Sequence, residues 1–239
     1  MSRHPGNGST MVVAVDTGGT FTDIVALDAT GRVHTHKVAS TPDDPSRAIL
    51  TGLAELLPDG GRVRLLHGST VATNALLERR GGRVLLITTA GFEDVLEIGR
   101  QNRPQLYAFE PHRPPALVPA ADRVGVPGRL GPGGEEIEPL DLEAVAALRE
   151  RAGAVDAVAV VGLHSYANDA HERAIAAALE GVGTPLSLSV EILPEFREYE
   201  RTATTVVNAY VQPVMGRYLE ALRGALAPGG TSGSVTAEA

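Results

Sequence analysis

The chain has 239 residues with 21 basic and 29 acidic side chains, a formal net charge of −8, 16 prolines and neither cysteine nor tryptophan. That length allows one or two domains burying roughly 70–75% of the unfolded surface, and a net acidic chain without a Lys/Arg-rich run lacks the footprint of a nucleic-acid binder. The missing cysteine excludes disulfides, thiolate zinc sites and cysteine nucleophiles, and no apolar run approaches the ~20 residues a membrane helix needs. In chain order, MSRHPGNGST has no apolar stretch of a signal peptide, so residues 1–10 read as a disordered start and a cytoplasmic protein is the expectation. MVVAVD, FTDIVALD and RVHTHKVA are β-rich and predict an antiparallel meander over Met11 to Asp16, Thr20 to Asp28 and Arg32 to Ala39. DPSRAILTGLAELL places Ile49, Leu50, Leu53, Leu56 and Leu57 on one helical face, with Asp43, Asp44 or Ser46 to cap it and Pro58 to stop it. VRLLHGST and RVLLITT read as short strands buried on both faces, joined by a helix over VATNALLERR into a βαβ unit. Eight prolines and five glycines between Pro104 and Pro139 exclude a long helix or a central strand and predict an ordered, extended excursion. DLEAVAALRERA, DAVAVVGL, DAHERAIAAALEG and LSLSVEI restore a helix–strand alternation, with Asp141 and Asp169 at N-cap positions. A long helix with a kink at Pro213 follows, and residues 227–239 read as a disordered tail. A meander followed by parallel βα units predicts one mixed sheet with helices on its faces.

The stretch MVVAVDTGGTFTDIVALD sets a carboxylate and a Gly-Gly pair between two strands. Gly18-Gly19 leads into a strand, so neither a Walker loop nor a dinucleotide-binding turn fits. Three readings stay open on the residues alone. The glycines can supply the positive φ of a tight hairpin. Asp16-Thr17-Gly18 can be half of an aspartic-protease dyad, although one triplet and alternating βα units suit that poorly. Or the turn is a phosphate hairpin, with backbone amides forming an anion-binding concavity, Thr17, Thr20 and Thr22 adding hydroxyls, and Asp16 holding Mg²⁺ through its water shell.

VDTGGTFTDIVALD resembles the first phosphate motif of the actin-like, sugar-kinase and Hsp70-like ATPases. More narrowly, LLHGSTVATNALLERRGGRVLLITTAGFEDVLEIGRQNRPQLY and SVEILPEFREYERTATTVVNAYVQPVMGRYL, with the looser LHSYANDAHE, resemble the N-terminal part of the ATP-dependent hydantoinase/oxoprolinase family. That family also includes a subunit class of acetone and acetophenone carboxylases. The resemblance runs from about Met11 to Leu226. It implies an α/β, ribonuclease-H-like (actin-like ATPase) mixed sheet with helices on both faces and an N-terminal meander. It divides the chain into a hydantoinase/oxoprolinase N-terminal domain over residues 11–190 and the start of a hydantoinase A domain, the long helix of residues 191–226. It implies ATP and Mg²⁺ as cofactors and an ATP-driven opening of a cyclic amide, hydantoin or 5-oxoproline, by phosphorylation of the amide oxygen. A carboxylase subunit and a non-catalytic partner-binding remnant are the alternatives. On the family pattern Asp16 and Thr20 are catalytic, Asp16 holds the metal through water, and Thr17, Gly18, Gly19, Thr20 and Thr22 contact phosphate, with Asp23 in the same motif. Actin-like ATPases close their cleft with a second, related half, which nothing after Leu226 supplies. Either the chain is truncated, or a separate chain brings that half, or it is a remnant; a chain bringing that half and a second hydrolase subunit are the expected partners, and this chain alone is expected to be inactive.

Other polar clusters carry two readings each. His67-Gly68-Ser69-Thr70 lies at a strand's carboxyl end, where open α/β sheets bind ligands, so Thr70, Thr73 and Asn74 are candidate substrate contacts, or else Ser69 or Thr70 is a helix cap. Arg100, Gln101, Asn102 and Arg103 are substrate contacts or a solvated run, with Arg100 and Arg103 the candidates. Glu195, Arg197, Glu198, Glu200 and Arg201 face substrate or form a helix-entry ion-pair network. His164 reads as a satisfied strand-end histidine, and His34 and His36 share a strand face with no third metal ligand in sight.

Overall fold

The fold was read from a computed structural model, which describes residues 10–41, 44–57, 61–102, 107, 109 and 114–227, and the backbone of 235–238. The expected Asp43 cap, the Pro58 stop, Arg103 and most of both chain ends lie outside the described residues. In chain order the elements are β1 (Met11–Thr17), β2 (Phe21–Leu27), β3 (Val33–Ala39), α1 (Pro45–Leu56), β4 (Gly61–Ser69), α2 (Val71–Leu77), β5 (Val84–Thr89) and α3 (Val95–Ile98). Then come β6 (Arg123–Val126), β7 (Arg129–Leu130), β8 (Glu136–Glu138), α4 (Leu142–Ala147), α5 (Arg149–Gly153), β9 (Ala157–Val161) and α6 (Ala170–Ala178). β10 (Leu186–Leu188), α7 (Ser189–Ile192), α8 (Glu198–Leu226) and β11 (Val235–Glu238) complete the chain. Two compact units divide it: residues 1–74 with 214–239, and residues 75–213.

The first unit is a five-stranded mixed sheet in the order β11-β4-β1-β2-β3, with β1–β2–β3 antiparallel and β4 parallel to β1. The meander forms because β1 and β2 alternate strictly: Met11, Val13, Val15, Ile24 and Ala26 point inward, and their sequence neighbours point out. On the inner face α1 packs Ile49 and Leu53, and α8 packs Tyr218, Leu222 and Leu226. Pro45 and the Asp44 carboxylate, which accepts from Ser46 N at 3.1 Å, start α1. The outer face carries Phe21, Val25, Leu27, Val33 and Leu66, all exposed, so among the described residues helices cover this sheet on one face.

The second unit is a parallel four-stranded sheet, β10-β9-β5-β6. β5 and β9 are buried along their length, with Leu85, Ile87, Val158 and Val160 packing towards Val145, Ile175 and Leu179 on α4 and α6. Val84, Leu86, Ala157 and Ala159 pack on the other side against Val206, Ala209 and Tyr210 of α8. Here helices lie on both faces. Among its described residues the proline-rich stretch contributes a 3-10 turn over Ala120–Asp122, the edge strand β6 and the β7–β8 ribbon.

Several expectations need correction. The single mixed sheet is two sheets, and the βαβ unit of β4 and β5 is not closed, because β4 pairs with β1 whereas β5 pairs with β6 and β9. β4 is not buried on both faces either, since Arg62, Arg64 and Leu66 are exposed on alternate positions. LSLSVEI is strand only to Leu188; it then turns into α7 so that Ser189 Oγ and Val190 N reach the buried Glu172 carboxylate. Asp141 and Asp169 both stand at N-cap positions as expected; Asp141 accepts from Ala144 N at 2.9 Å, whereas the Asp169 carboxylate makes no cap bond and pairs with Arg173, and Ala170 N donates to Asn168 Oδ1. α8 runs unbroken from Glu198 to Leu226 with Pro213 inside it. Among the described residues no helix is long and apolar enough to cross a membrane.

Candidate functional site

Asp16 ends the outward-facing row of β1, in register with Asp23 on β2 and with Gly68 on β4. Two carboxylates face each other across the antiparallel pair, an arrangement that is unfavourable without a counter-charge. Lys37 on β3 supplies one to Asp23, at 2.9 Å, and lies 5.2 Å from the Phe21 ring centroid. Asp16 is exposed and has no ion-pair partner among the described residues.

The turn that follows is closed by Gly18 N donating to Phe21 O at 3.1 Å. A β-carbon at Gly18 would crowd that same oxygen at 3.1 Å, so the turn itself favours glycine there. Gly19 has no such reason. A β-carbon there would meet nothing within 4 Å, and neither glycine adopts a left-handed φ, which corrects the expectation of a positive-φ turn. Gly68 likewise has ordinary backbone geometry inside a strand, and its added β-carbon would make only van der Waals contact, 3.5 Å from Asp16 Oδ1. Glycine weakens strand interiors. The fold needs neither glycine, and of the two Gly68 stands beside the unpaired Asp16 carboxylate while Gly19 leaves open space at the turn.

The threonines separate by face. Thr17 and Thr22 are a cross-strand pair on the inner side, both buried; Thr22 shares a 3.0 Å hydrogen bond with Ser40, and Thr17 Oγ1 has no partner among the described residues. Thr20 is exposed at the turn. Thr70 donates to Thr17 O at 3.2 Å, tying the end of β1 to the start of α2, and Asn74 Nδ2 reaches Thr70 Oγ1 at 3.4 Å. Thr73 and Asn74 are exposed. Under the strand ends His67 bonds Val15 O at 3.3 Å and the Tyr218 hydroxyl from α8. Burial pushes the His67 pKa down and that of Tyr218 up. Ser40, His67 and Tyr218 are the supporting residues that the motif did not announce.

In the second unit Arg100 pairs with Glu200 at 2.7 Å and lies 5.7 Å from the Tyr199 ring centroid, beside a cavity of about 480 Å³ lined also by Leu96, Asn102 and Val206. Arg201 is fully buried and donates to Glu195 O and Gly162 O. His164 has φ +59° and its Nδ1 lies 3.3 Å from Tyr166 Oη. His34 and His36 engage Asp28 and Glu55.

The residues around Asp16 fit a magnesium-bound polyphosphate: an unpaired carboxylate for the metal's water shell, an amide turn, and space that any side chain at Gly19 or Gly68 would take. Residues 12–183 match the family model described as the hydantoinase/oxoprolinase N-terminal region. The chain belongs to the hydantoinase/oxoprolinase family. It is 41% identical over 225 residues to the caprolactamase subunit alpha of Pseudomonas jessenii, covering 87% of this chain and 32% of that one. To 5-oxoprolinase 1 of Arabidopsis thaliana it is 33% identical, covering 86% and 19%, and to the acetophenone carboxylase gamma subunit of Aromatoleum aromaticum 33%, covering 85% and 31%. The crystal structure of the Pseudomonas jessenii ATP-dependent caprolactamase superposes with a TM-score of 0.72 at 38% identity, covering 87% of this chain and 32% of that one. The nucleotide-free acetone carboxylase superposes at 0.74 with 23% identity, covering 95% and 35%, a likeness of fold. This family member therefore spans about a third or less of the length of these relatives.

Proposed function

We propose that this chain supplies the ATP-phosphate site of an enzyme that opens a cyclic amide, a lactam or hydantoin. The observation that carries the reading is the unpaired Asp16 carboxylate beside Gly68, at the end of the strand that leads into the open Gly18-Gly19 turn. An amide carbonyl is protected by resonance, so water adds to its carbon only after phosphorylation of the oxygen has made that carbon electrophilic; the C–N bond then breaks with a proton going to nitrogen, and a second water hydrolyses the acyl phosphate left behind to carboxylate and phosphate. Bound Mg-ATP supplies the phosphoryl group for that activation. Asp16 would hold the metal through its water shell, and the Gly19 and Thr20 amides would donate to phosphate oxygens. The relatives named caprolactamase and 5-oxoprolinase support the amide, and identity is higher to the caprolactamase subunit than to the carboxylase subunit. A carboxylase subunit is the second reading, supported by the acetophenone carboxylase gamma subunit. Because two of these relatives are named as subunits, catalysis belongs to an assembly with partner chains.

The test is steady-state ADP release by that assembly with a lactam, a hydantoin, or a ketone plus bicarbonate. Release driven by a cyclic amide, falling about 10²–10³-fold in Asp16→Asn without a change in melting, is the expected result. Release driven by the ketone alone moves the chain to the carboxylases. Near wild-type turnover in Asp16→Asn removes the phosphate site from this turn.

A further inference from the structure

We propose that Ser40 is the positioning residue that aims the Gly19 amide at the bound phosphate; the proposal rests on the phosphate reading of the turn. Ser40 follows β3, far from the glycines in sequence, and makes three hydrogen bonds to the turn. Its amide donates to Thr20 O at 2.9 Å, its hydroxyl donates to Gly18 O at 2.7 Å, and Thr22 Oγ1 lies 3.0 Å from Ser40 Oγ. A carbonyl only accepts, so the single Ser40 proton goes to Gly18 and the Thr22 hydroxyl must donate to Ser40. The proton order is therefore fixed as Thr22 to Ser40 to Gly18. Thr22, fully buried, has no proton left for a ligand and serves as the anchor of this chain rather than as a phosphate contact.

The consequence lies in the Gly18–Gly19 peptide plane. In a trans peptide the C=O and the following N–H point in opposite directions, and no described peptide bond is cis. Holding the Gly18 carbonyl on Ser40 therefore turns the Gly19 N–H away from Ser40. Neither glycine has a β-carbon to favour one orientation of the plane, so a flip is sterically cheap without that bond. A flipped plane presents a carbonyl oxygen where an anion needs a donor. Ser40 thus orients the amide before the ligand arrives, so that binding needs no reorganisation there. The strand ladders on either side, Thr17 with Thr22 and Phe21 with Ala39, hold the meander without this hydroxyl.

The test uses the full 239-residue chain, labelled with ¹⁵N and titrated with Mg-ATP while the Gly18, Gly19 and Thr20 amide signals are followed. Wild type shows a saturable shift at Gly19. Ser40→Ala binds Mg-ATP about three- to tenfold more weakly, the scale of one neutral hydrogen bond, with an unchanged melting midpoint, and Ser40→Thr, which keeps the hydroxyl, restores binding. If Ser40→Ala does not fold, Thr22→Val carries the test: it frees Ser40 to rotate and must weaken the Gly19 response. Equal affinity in Ser40→Ala, or in Thr22→Val where that variant carries the test, overturns the positioning role and leaves the phosphate site standing. A loss that Ser40→Thr does not restore assigns Ser40 to shape alone and overturns it too. No shift across Gly18 to Thr20 in wild type overturns the phosphate reading and this proposal with it.

Discussion

Asp16 on β1 and Gly68 on the parallel strand β4 stand directly opposite each other, and a β-carbon at Gly68 would lie 3.5 Å from Asp16 Oδ1. That spacing is comfortable for the fold, so Gly68→Val on the exposed face should leave stability unchanged or raise it by up to ~1 kcal/mol through the better strand propensity. The branched side chain fills the volume beside the carboxylate, and Mg-ATP binding should fall with it. Melting curves and a Mg-ATP titration of the same preparation decide; undiminished binding in Gly68→Val removes the argument from open volume.

The two turn glycines should separate in the opposite sense. Gly18→Ala must push the Phe21 carbonyl from a 3.1 Å contact and should destabilise the first unit by about 1 kcal/mol. Gly19→Ala meets nothing within 4 Å and should melt like wild type, yet it should weaken Mg-ATP binding. Denaturant titration of both variants measures the first effect, and a destabilised Gly19→Ala would contradict the second.

His67 should give the protein a pH dependence with a defined sign. Its Nδ1 can only donate to the Val15 carbonyl, so in the neutral ring Nε2 accepts from the Tyr218 hydroxyl. Burial holds its folded pKa below the usual ~6.5, so between the two values the unfolded chain binds more protons. Stability from this group is complete above ~6.5 and is lost as pH falls from there towards the depressed folded value. The difference in denaturation midpoint between wild type and His67→Gln should therefore shrink on acidification; a difference that stays constant from pH 8 to about 5 counts against the assignment.

Glu172 and Arg201 hold Gly162 from its two sides, the buried carboxylate accepting from Gly162 N at 2.8 Å and the buried guanidinium donating to Gly162 O at 2.6 Å. Glu172 also accepts from Ser189 Oγ and Val190 N. Glu172→Gln puts an amide donor against these donors and leaves the buried cation without its compensating charge, at about 3 kcal/mol or more. Combining it with Arg201→Met should cost less than the sum of the two single changes. Strict additivity in urea unfolding means that the two charges do not sense each other through the peptide.

The meander, α1 and the βα alternation were legible because each rests on local periodicity: β1 and β2 alternate strictly, and α1 has its Pro45 start and Asp44 cap. The division into two sheets was not, since strand pairing is long-range and both β4 and β5 read as apolar runs. The distinguishing signal was present, because β4 sets Arg62 and Arg64 outward on alternate positions whereas VLLIT has no polar alternation. The same period of two, counted from Asp16, puts Thr17 and Thr22 on the inner side, where Thr22 meets Ser40 rather than a ligand. Asp16 and the Gly-Gly pair announced themselves. Ser40 and Tyr218 could not, as they act on partners 22 and 151 residues away through contacts no spacing rule encodes.

The first unit is assembled from both ends of the chain, and its core needs Tyr218, Leu222 and Leu226 against the inner faces of Val13, Val15 and Ile24. During synthesis the meander leaves the ribosome long before those residues exist, whereas residues 75–213 form a continuous segment with its own two clusters. At usual elongation rates the nascent sheet waits roughly 10–30 s with an apolar face bare, an interval in which a holding chaperone has its substrate. Folding is thus inside-out along the chain, the inserted segment closing before the segment that bears Asp16. A nascent chain from which Pro213 has just emerged would carry protected amides in β5 and β9 and freely exchanging ones in β1 and β2.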